Sequence, residues 1–265
     1  MNSIEKISDK EYFSRDGLSN SYLIRFDRSP AHASVEFEET ECMKKGSMLH
    51  SFILTPEAFD EEYSIAPADM PKDKRTAAYK EFAKTTDKEI IFKSELDELE
   101  KIKESVYRFK FENTELEDYL INSEKEISLF WDLFVGNKTV QCKAKADAIY
   151  IKGNNAIIFD IKKVQNCVDF HKSVLNYKYY RQANFYTTGL KYLMPKLTSI
   201  RFIFITIEDC YPYGVMSYEL DDEFIYEGEK ESFNSILKVL NWNGDTKTVY
   251  DNTTVKLQKP EWLCA

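Results

Sequence analysis

The densest chemistry in the chain closes an apolar run, NNAIIFDIKK at positions 154–163, where Asp160 and Lys162 flank one isoleucine. A second acid, Asp147, stands in the preceding run NKTVQCKAKADAIYI. The two runs are joined by KGNN, a turn signal centred on Gly153 and Asn154. A two-residue loop there sets Asp147 opposite Asp160 and Lys145 opposite Lys162; a three-residue loop would shift every pair by one. Strand side chains alternate, so Lys145, Asp147, Ile149, Ile158, Asp160 and Lys162 share one face. Ala144, Ala146, Ala148, Tyr150, Ile157, Phe159 and Ile161 share the other, the core-facing one. Directly opposed residues have Cβ atoms about 4.5–5.5 Å apart, where like charges repel. Two readings fit. Either the acids lie at wet ends of edge strands, or they hold a divalent cation such as Mg²⁺, a hard ion taken by carboxylates together with phosphate.

The elements that must position these residues follow from periodicity. EISLFWDLF, NKTVQCKAKADAIYI and NAIIFDIKK read as three strands, and SIRFIFITIE as a fourth. One long amphipathic helix is expected from about Val168 to Leu193, stopped before Pro195. Met43, Leu49, Phe52 and Ile53 mark a helix ended at Thr55-Pro56, and Leu96, Leu99, Ile102 and Val106 mark a surface helix. TPEAFDEEYSIAPADMPKDKR reads as a connection with one short extended piece, and GVMSYELDDEFIYEGEKESFNSILKVLNW as a strand running into a helix. The expectation is an α/β fold, a mixed central sheet flanked by helices, in a single domain. Its mainly helical N-terminal part would cover 18–125, its catalytic core 126–210, and its peripheral tail 243–265.

Composition excludes several classes. The 265 residues are 43% hydrophobic, enough for a sizeable core. No apolar run approaches a membrane span, and MNSIEKISDKEYF has no signal-peptide core, so a cytoplasmic protein with no membrane partner is expected. Five scattered cysteines without a C-x-x-C argue against a disulfide framework or structural zinc. No P-loop signature occurs. The net charge of −9 hides an uneven distribution: residues 136–201 carry 12 Lys and Arg against 3 Asp. An acidic body with one basic segment can still hold a polyanion.

Asp147 followed by Asp160-Ile161-Lys162 at a strand end resembles the core of the PD-(D/E)XK nuclease superfamily. The context resembles its RecB-like branch, and within that the exonuclease VIII (RecE) nuclease domain. GSMLHSFILTPEAFDEEY places Gly46 and His50 on the G-x-x-x-H region; EISLFWD and CKAKADAIYI match E-x-S-x-x-W and R-x-D segments. YKYYRQANFYTTGL supplies Gln182 and Tyr186, and LSNSYLIRFDRSPAH the opening Ser/Pro segment. Two positions depart from the pattern: Lys145-Ala146 stands where Arg-Pro is frequent, and Lys163-Val164 where Thr commonly follows the lysine.

The resemblance implies a restriction-endonuclease-like fold and a Mg²⁺-dependent deoxyribonuclease, with Mn²⁺ able to substitute. Asp147 and Asp160 would be metal ligands with the Ile161 carbonyl, His50 an additional ligand, and Glu126 the holder of a second metal or an outer water. Lys162 would orient the attacking water or offset charge. Gln182 and Tyr186, on one helix face, would line the site and contact the DNA backbone or support Lys162. Lys145, Lys163 and Arg181 would contact DNA, and Tyr177, Lys178, Tyr179 and Tyr180 suit phosphates and base faces. The implied activity is ATP-independent 5′–3′ digestion of duplex DNA, leaving 3′ single strands. The implied setting is bacterial or phage-encoded, with a single-strand annealing recombinase as partner and a homo-oligomer as plausible assembly. A structure-selective or restriction-type endonuclease, or an idle nuclease-like binding module, would share these residues.

Overall fold

The structure, a computed structural model, describes residues 2–35, 40–246, 250 and 254–258. The expected tail from Asn243 lies for the most part outside the described residues.

The chain opens with β1 (Ser3–Glu5) and α1 (Asp9–Ser14), then α2 (Asn20–Arg28), α3 (Pro30–Ser34), α4 (Glu41–Leu54) and α5 (Pro56–Glu62). Side-chain caps start several of these: Ser8, Ser19, Ser29 and Thr40 each accept a backbone N–H of the first turn. The expected connection after Thr55 thus begins as a helix, because Pro56 sits at its first turn, where a missing N–H is harmless. A parallel pair, β2 (Tyr63–Ile65) with β3 (Glu89–Ile91), brackets α6 (Ala77–Ala83). There follow α7 (Lys93–Arg108), the small hairpin β4 (Lys110–Phe111) with β5 (Thr114–Glu115), and α8 (Leu116–Ile121).

The sheet proper is β6 (Ser123–Val135), β7 (Lys138–Lys152), β8 (Asn155–Val164), β9 (Ser199–Glu208) and β10 (Val215–Glu219), with β1 on its edge. The helices α9 (Phe170–Asn176) and α10 (Tyr179–Leu193) cross from β8 to β9, and α11 (Asp222–Leu240) closes the fold. Strand order is β1-β6-β7-β8-β9-β10, antiparallel throughout except for the parallel β8–β9 pair. This is the mixed α/β sheet flanked by helices that the sequence led us to expect.

Two expectations are corrected. The long helix is two helices: Lys178 takes a left-handed conformation (φ 54°), which breaks the helical hydrogen-bond run between Asn176 and Tyr179. And the β7–β8 hairpin, expected to have one core-facing and one charged face, buries apolar residues on both. One face, with Ile149, Ile158 and Phe204, packs under α10, α2 and α11. The other, with Phe159, Ile161 and Ile205, packs under α4, α7 and α8. Ile149 and Ile158 are therefore core residues, although they were expected on the charged face.

Candidate active site

The turn arithmetic holds up to a point. β7 and β8 pair with Lys152 opposite Asn155 through to Ala148 opposite Phe159, and the pairing ends there. Asp147 and Asp160 are next in line, where the strands no longer pair. On its other side β7 pairs with β6 through Ile127–Ala146 and Lys125–Ala148, skipping Glu126 and Asp147 between them. Glu126 is left-handed (φ 55°). The face of β7 also switches here: Ala146 joins the α10-side core, Ala148 the α4-side core, and Ile149 the α10 side again. Such a bulge-like irregularity re-aims a side chain at the rim of a sheet.

Its effect is convergence. Ligand atoms of His50, Glu126 and Asp147 all lie within 4.8 Å of one another. His50 arrives from α4; its Nε2 is 2.8 Å from the Ile161 carbonyl, which can only accept, so Nε2 carries the proton. That leaves Nδ1 facing Asp147 Oδ2 at 3.6 Å. The Ile161 N–H donates to the same Asp147 oxygen at 2.8 Å. The Ile161 carbonyl, expected as a metal ligand, has one lone pair taken by His50.

Asp160 stands apart from that trio. It is 2% exposed; its Oδ2 accepts the Gln182 amide N–H at 2.6 Å, and its Oδ1 has the Lys162 ammonium at 2.5 Å. The Lys162 contact is an ion pair without a well-directed hydrogen bond, so Oδ1 is a buried carboxylate oxygen with an unused lone pair. Burial alone would lower the Lys162 pKa, but Asp160 and Asp147 override it and hold the amine above its ordinary value. The same ammonium lies 5.1 Å from the centre of the Tyr179 ring.

Asp147 experiences the opposite balance. Burial pushes its carboxyl up to about 6; Asp160 and Glu126 push the same way, and His50 and Lys162 pull back. Tyr186, one helical turn after Gln182, is held well above the usual tyrosine value, first by burial and then by neighbouring Tyr12 and the two aspartates. A carboxylate raised chiefly by burial, a histidine nitrogen aimed at it, and a buried oxygen with a lone pair to spare are donors suited to a divalent cation. The residues present fit such an ion.

The remaining expected contacts divide. Lys145 meets Glu126 at 2.7 Å and is also bound by Asp9, so it clamps an acid of the site. Burial works to lower its pKa, and the two carboxylates more than reverse that. Lys163, half-buried, follows Lys162 with its side chain directed to the opposite face. Arg181 is a correction. It is 0% exposed, paired to Asp27 of α2 at 2.6 Å and donating to Ser235 of α11 at 3.0 Å, so it ties helices together and cannot reach DNA. A neighbour of Gln182 on a helix points about 100° away from it, which sends Arg181 to the other helices.

Beside the trio opens a cleft of about 520 Å³, lined by His50, Glu126 and Lys145 together with Asp9, Glu61 and Glu62. Burial raises the Glu62 pKa, and Asp9 adds to it. The N-terminal segment was not expected at the site. Asp9 is 136 residues from Lys145, and nothing in local spacing reveals such a contact; the Ser8 cap signals only that a helix starts.

A family model described as a PDDEXK-like domain of unknown function (DUF3799) matches residues 19–250. No curated protein matches the chain. Among solved structures, the crystal structure of an Eubacterium rectale protein provisionally named an exonuclease superposes with a TM-score of 0.62 at 16% identity, covering 97% of each chain. That of SSO0001 covers 82% of this chain and 85% of its own at 16% identity, with a TM-score of 0.31, too low for any argument to rest on.

Proposed function

The chain belongs to the PDDEXK-like family DUF3799, and from that premise we propose that it is a divalent-metal-dependent deoxyribonuclease, most simply an exonuclease on duplex DNA. The observation that carries the reading is the convergence of His50, Glu126 and Asp147 at a broken strand pairing, beside the buried Asp160–Lys162 pair. His50, Glu126, Asp147 and the spare Asp160 oxygen would hold Mg²⁺, or Mn²⁺ in its place. When bound, the ion supplies charge neutralisation at the scissile phosphate and acidifies water for attack.

The chain's own residues do the rest. Lys162, kept protonated by two aspartates, offsets charge on the phosphate and orients the attacking water. Gln182 fixes the rotamer of Asp160 and so the direction of its other oxygen, the one that faces Lys162. His50 locks its ring by donating to the Ile161 carbonyl, which turns Nδ1 toward Asp147. Lys145 holds Glu126 in place, with Asp9 behind it. Tyr186 walls the site with a hydroxyl that stays protonated. The name of the Eubacterium rectale relative points to an exonuclease too. The finer reading is 5′–3′ digestion of linear duplex DNA to 3′ single strands for an annealing partner, by a homo-oligomer.

The test is purified protein with Mg²⁺ or Mn²⁺ on end-labelled linear duplex and on closed circular DNA. Loss of the linear substrate alone, with Lys162→Ala inactive, supports the exonuclease. Nicked circles make it an endonuclease. Intact DNA of both forms, or full activity in Lys162→Ala, overturns the reading.

A further inference from the structure

We propose that Tyr177 is a nucleobase-stacking subsite, its ring receiving the face of an unpaired base next to the phosphate being cut. The inference rests on the nuclease reading above and specifies how that substrate is held.

Tyr177 lies between two helices on a backbone that is fixed from both sides. Its N–H donates to the Ser173 carbonyl at 2.9 Å, closing α9. The next residue, Lys178, is left-handed and begins α10, and its ammonium is anchored on Glu231 at 2.6 Å. On this rigid knuckle Tyr177 is 62% exposed. A flat aromatic surface on a pre-ordered backbone loses little freedom when a partner lands on it.

The ring is also connected to the chemistry. Tyr177 and Tyr179 have centroids 5.6 Å apart at 34°. Tyr179 is braced by Phe170 and Phe204 and carries the Lys162 ammonium 5.1 Å from its ring centre. The Tyr177 ring is thus at most about 11 Å from the amine, the sum of those two separations. One nucleotide can therefore set its phosphate at Lys162 and a base on Tyr177. Another exposed tyrosine, Tyr211 in the β9–β10 loop, meets Tyr213 edge to face, and no chain of ring contacts among the described residues joins it to Lys162. Inside a duplex the base faces are covered by neighbouring pairs, so an aromatic platform takes an unpaired base, independent of its sequence. That matches a site acting at an opened DNA end.

The experiment compares wild type, Tyr177→Ala and Tyr177→Phe in two assays: binding of a labelled single-stranded oligonucleotide in Ca²⁺ by anisotropy, and KM on linear duplex in Mn²⁺. The rise in Tm on adding Mn²⁺ checks that all three proteins are folded alike. Tyr177→Ala is expected to weaken binding by about tenfold, within the roughly 5- to 150-fold range for one stacked base, and to raise KM. Tyr177→Phe keeps both, and an abasic nucleotide at the stacked position costs wild type the factor that it does not cost Tyr177→Ala. If wild type cleaves DNA and Tyr177→Ala binds as tightly, the subsite is refuted while the nuclease reading stands. If binding depends on Tyr177 but no metal supports cleavage, the subsite stands and the nuclease reading falls. Wild type that neither binds nor cuts refutes both.

Discussion

Replacing Asp147 by Asn should make the metal-free protein more stable while abolishing its response to metal. A carboxyl held at about 6 instead of its usual 3.8 resists ionisation by roughly 3 kcal/mol in the fold. The sign follows from the direction. The folded value lies above the unfolded one, so the penalty is absent below about 4, grows toward pH 6, and is complete above it. Asn is isosteric and keeps an oxygen for the Ile161 N–H, which now meets Asp147 at 2.8 Å. At pH 7.5 in EDTA the variant should therefore exceed wild type by up to about 3 kcal/mol, roughly 6–12 °C in Tm at about 2–4 °C per kcal/mol. At pH 4.5 the gap should shrink to about 1 kcal/mol. Added Mn²⁺ should raise the Tm of wild type and leave the variant unmoved. Chemical denaturation at both pH values, with and without metal, measures all of this. A variant no more stable than wild type at pH 7.5 in EDTA would refute the argument from the buried carboxylate. One stabilised by Mn²⁺ as wild type is would refute the role of Asp147 as a ligand.

Gln182→Ala removes the 2.6 Å hydrogen bond to Asp160, and should raise the Mn²⁺ concentration for half-maximal cleavage by about 10- to 100-fold; an unchanged metal titration would contradict it. Arg181→Met leaves Asp27 without its buried partner and should lose about 3–5 kcal/mol in urea denaturation, with KM for DNA unaltered. A raised KM at full stability would restore the DNA contact that the sequence suggested. Gly189→Ala would set a Cβ 2.7 Å from the Trp131 ring and should destabilise by about 1–3 kcal/mol; an unchanged denaturation midpoint would show that the ring moves aside.

Local signals were legible and long-range ones were not. Gly153-Asn154 set the register of β7 and β8, because a tight turn leaves little freedom, and the pairs from Lys152–Asn155 to Ala148–Phe159 follow it. The elements around Leu99, Ile102 and Val106 or Phe202 and Phe204 carry their period openly. What failed depended on neighbours in space. Two-sided burial of the sheet requires α7 and α8 on the far face, and no pattern within NAIIFDIKK announces them. Tyr-Lys-Tyr around 178 reads as continuous helix until the Lys178 anchor on Glu231, 53 residues away, is seen. Arg181 looked basic and available because its partner, Asp27, is 154 residues distant.

The one feature of the site that no spacing rule yields is also the one that makes it a site. A regular β6–β7–β8 ladder would point Glu126, Asp147 and Asp160 along fixed faces and keep them a strand spacing apart. The break removes Glu126 and Asp147 from the ladder and sets Glu126 in a left-handed conformation, which for a non-glycine residue is unfavourable by about 1–3 kcal/mol. It also buries the Asp147 carboxyl beside Asp160 and Glu126, and burial first, then those acids, raises its resistance to ionisation. Both terms weigh against the folded chain alone, and a cation at that point reverses only the second. Stability in EDTA and affinity for metal should therefore move in opposite directions when the charge at position 147 is removed. Glu126→Gly relaxes the backbone and removes one carboxylate, and should lower metal affinity less than Asp147→Asn does, since His50 and Asp147 stay in place. If Glu126→Gly instead abolished the Mn²⁺-induced rise in Tm, Glu126 would be a principal ligand and not an accessory held by Lys145.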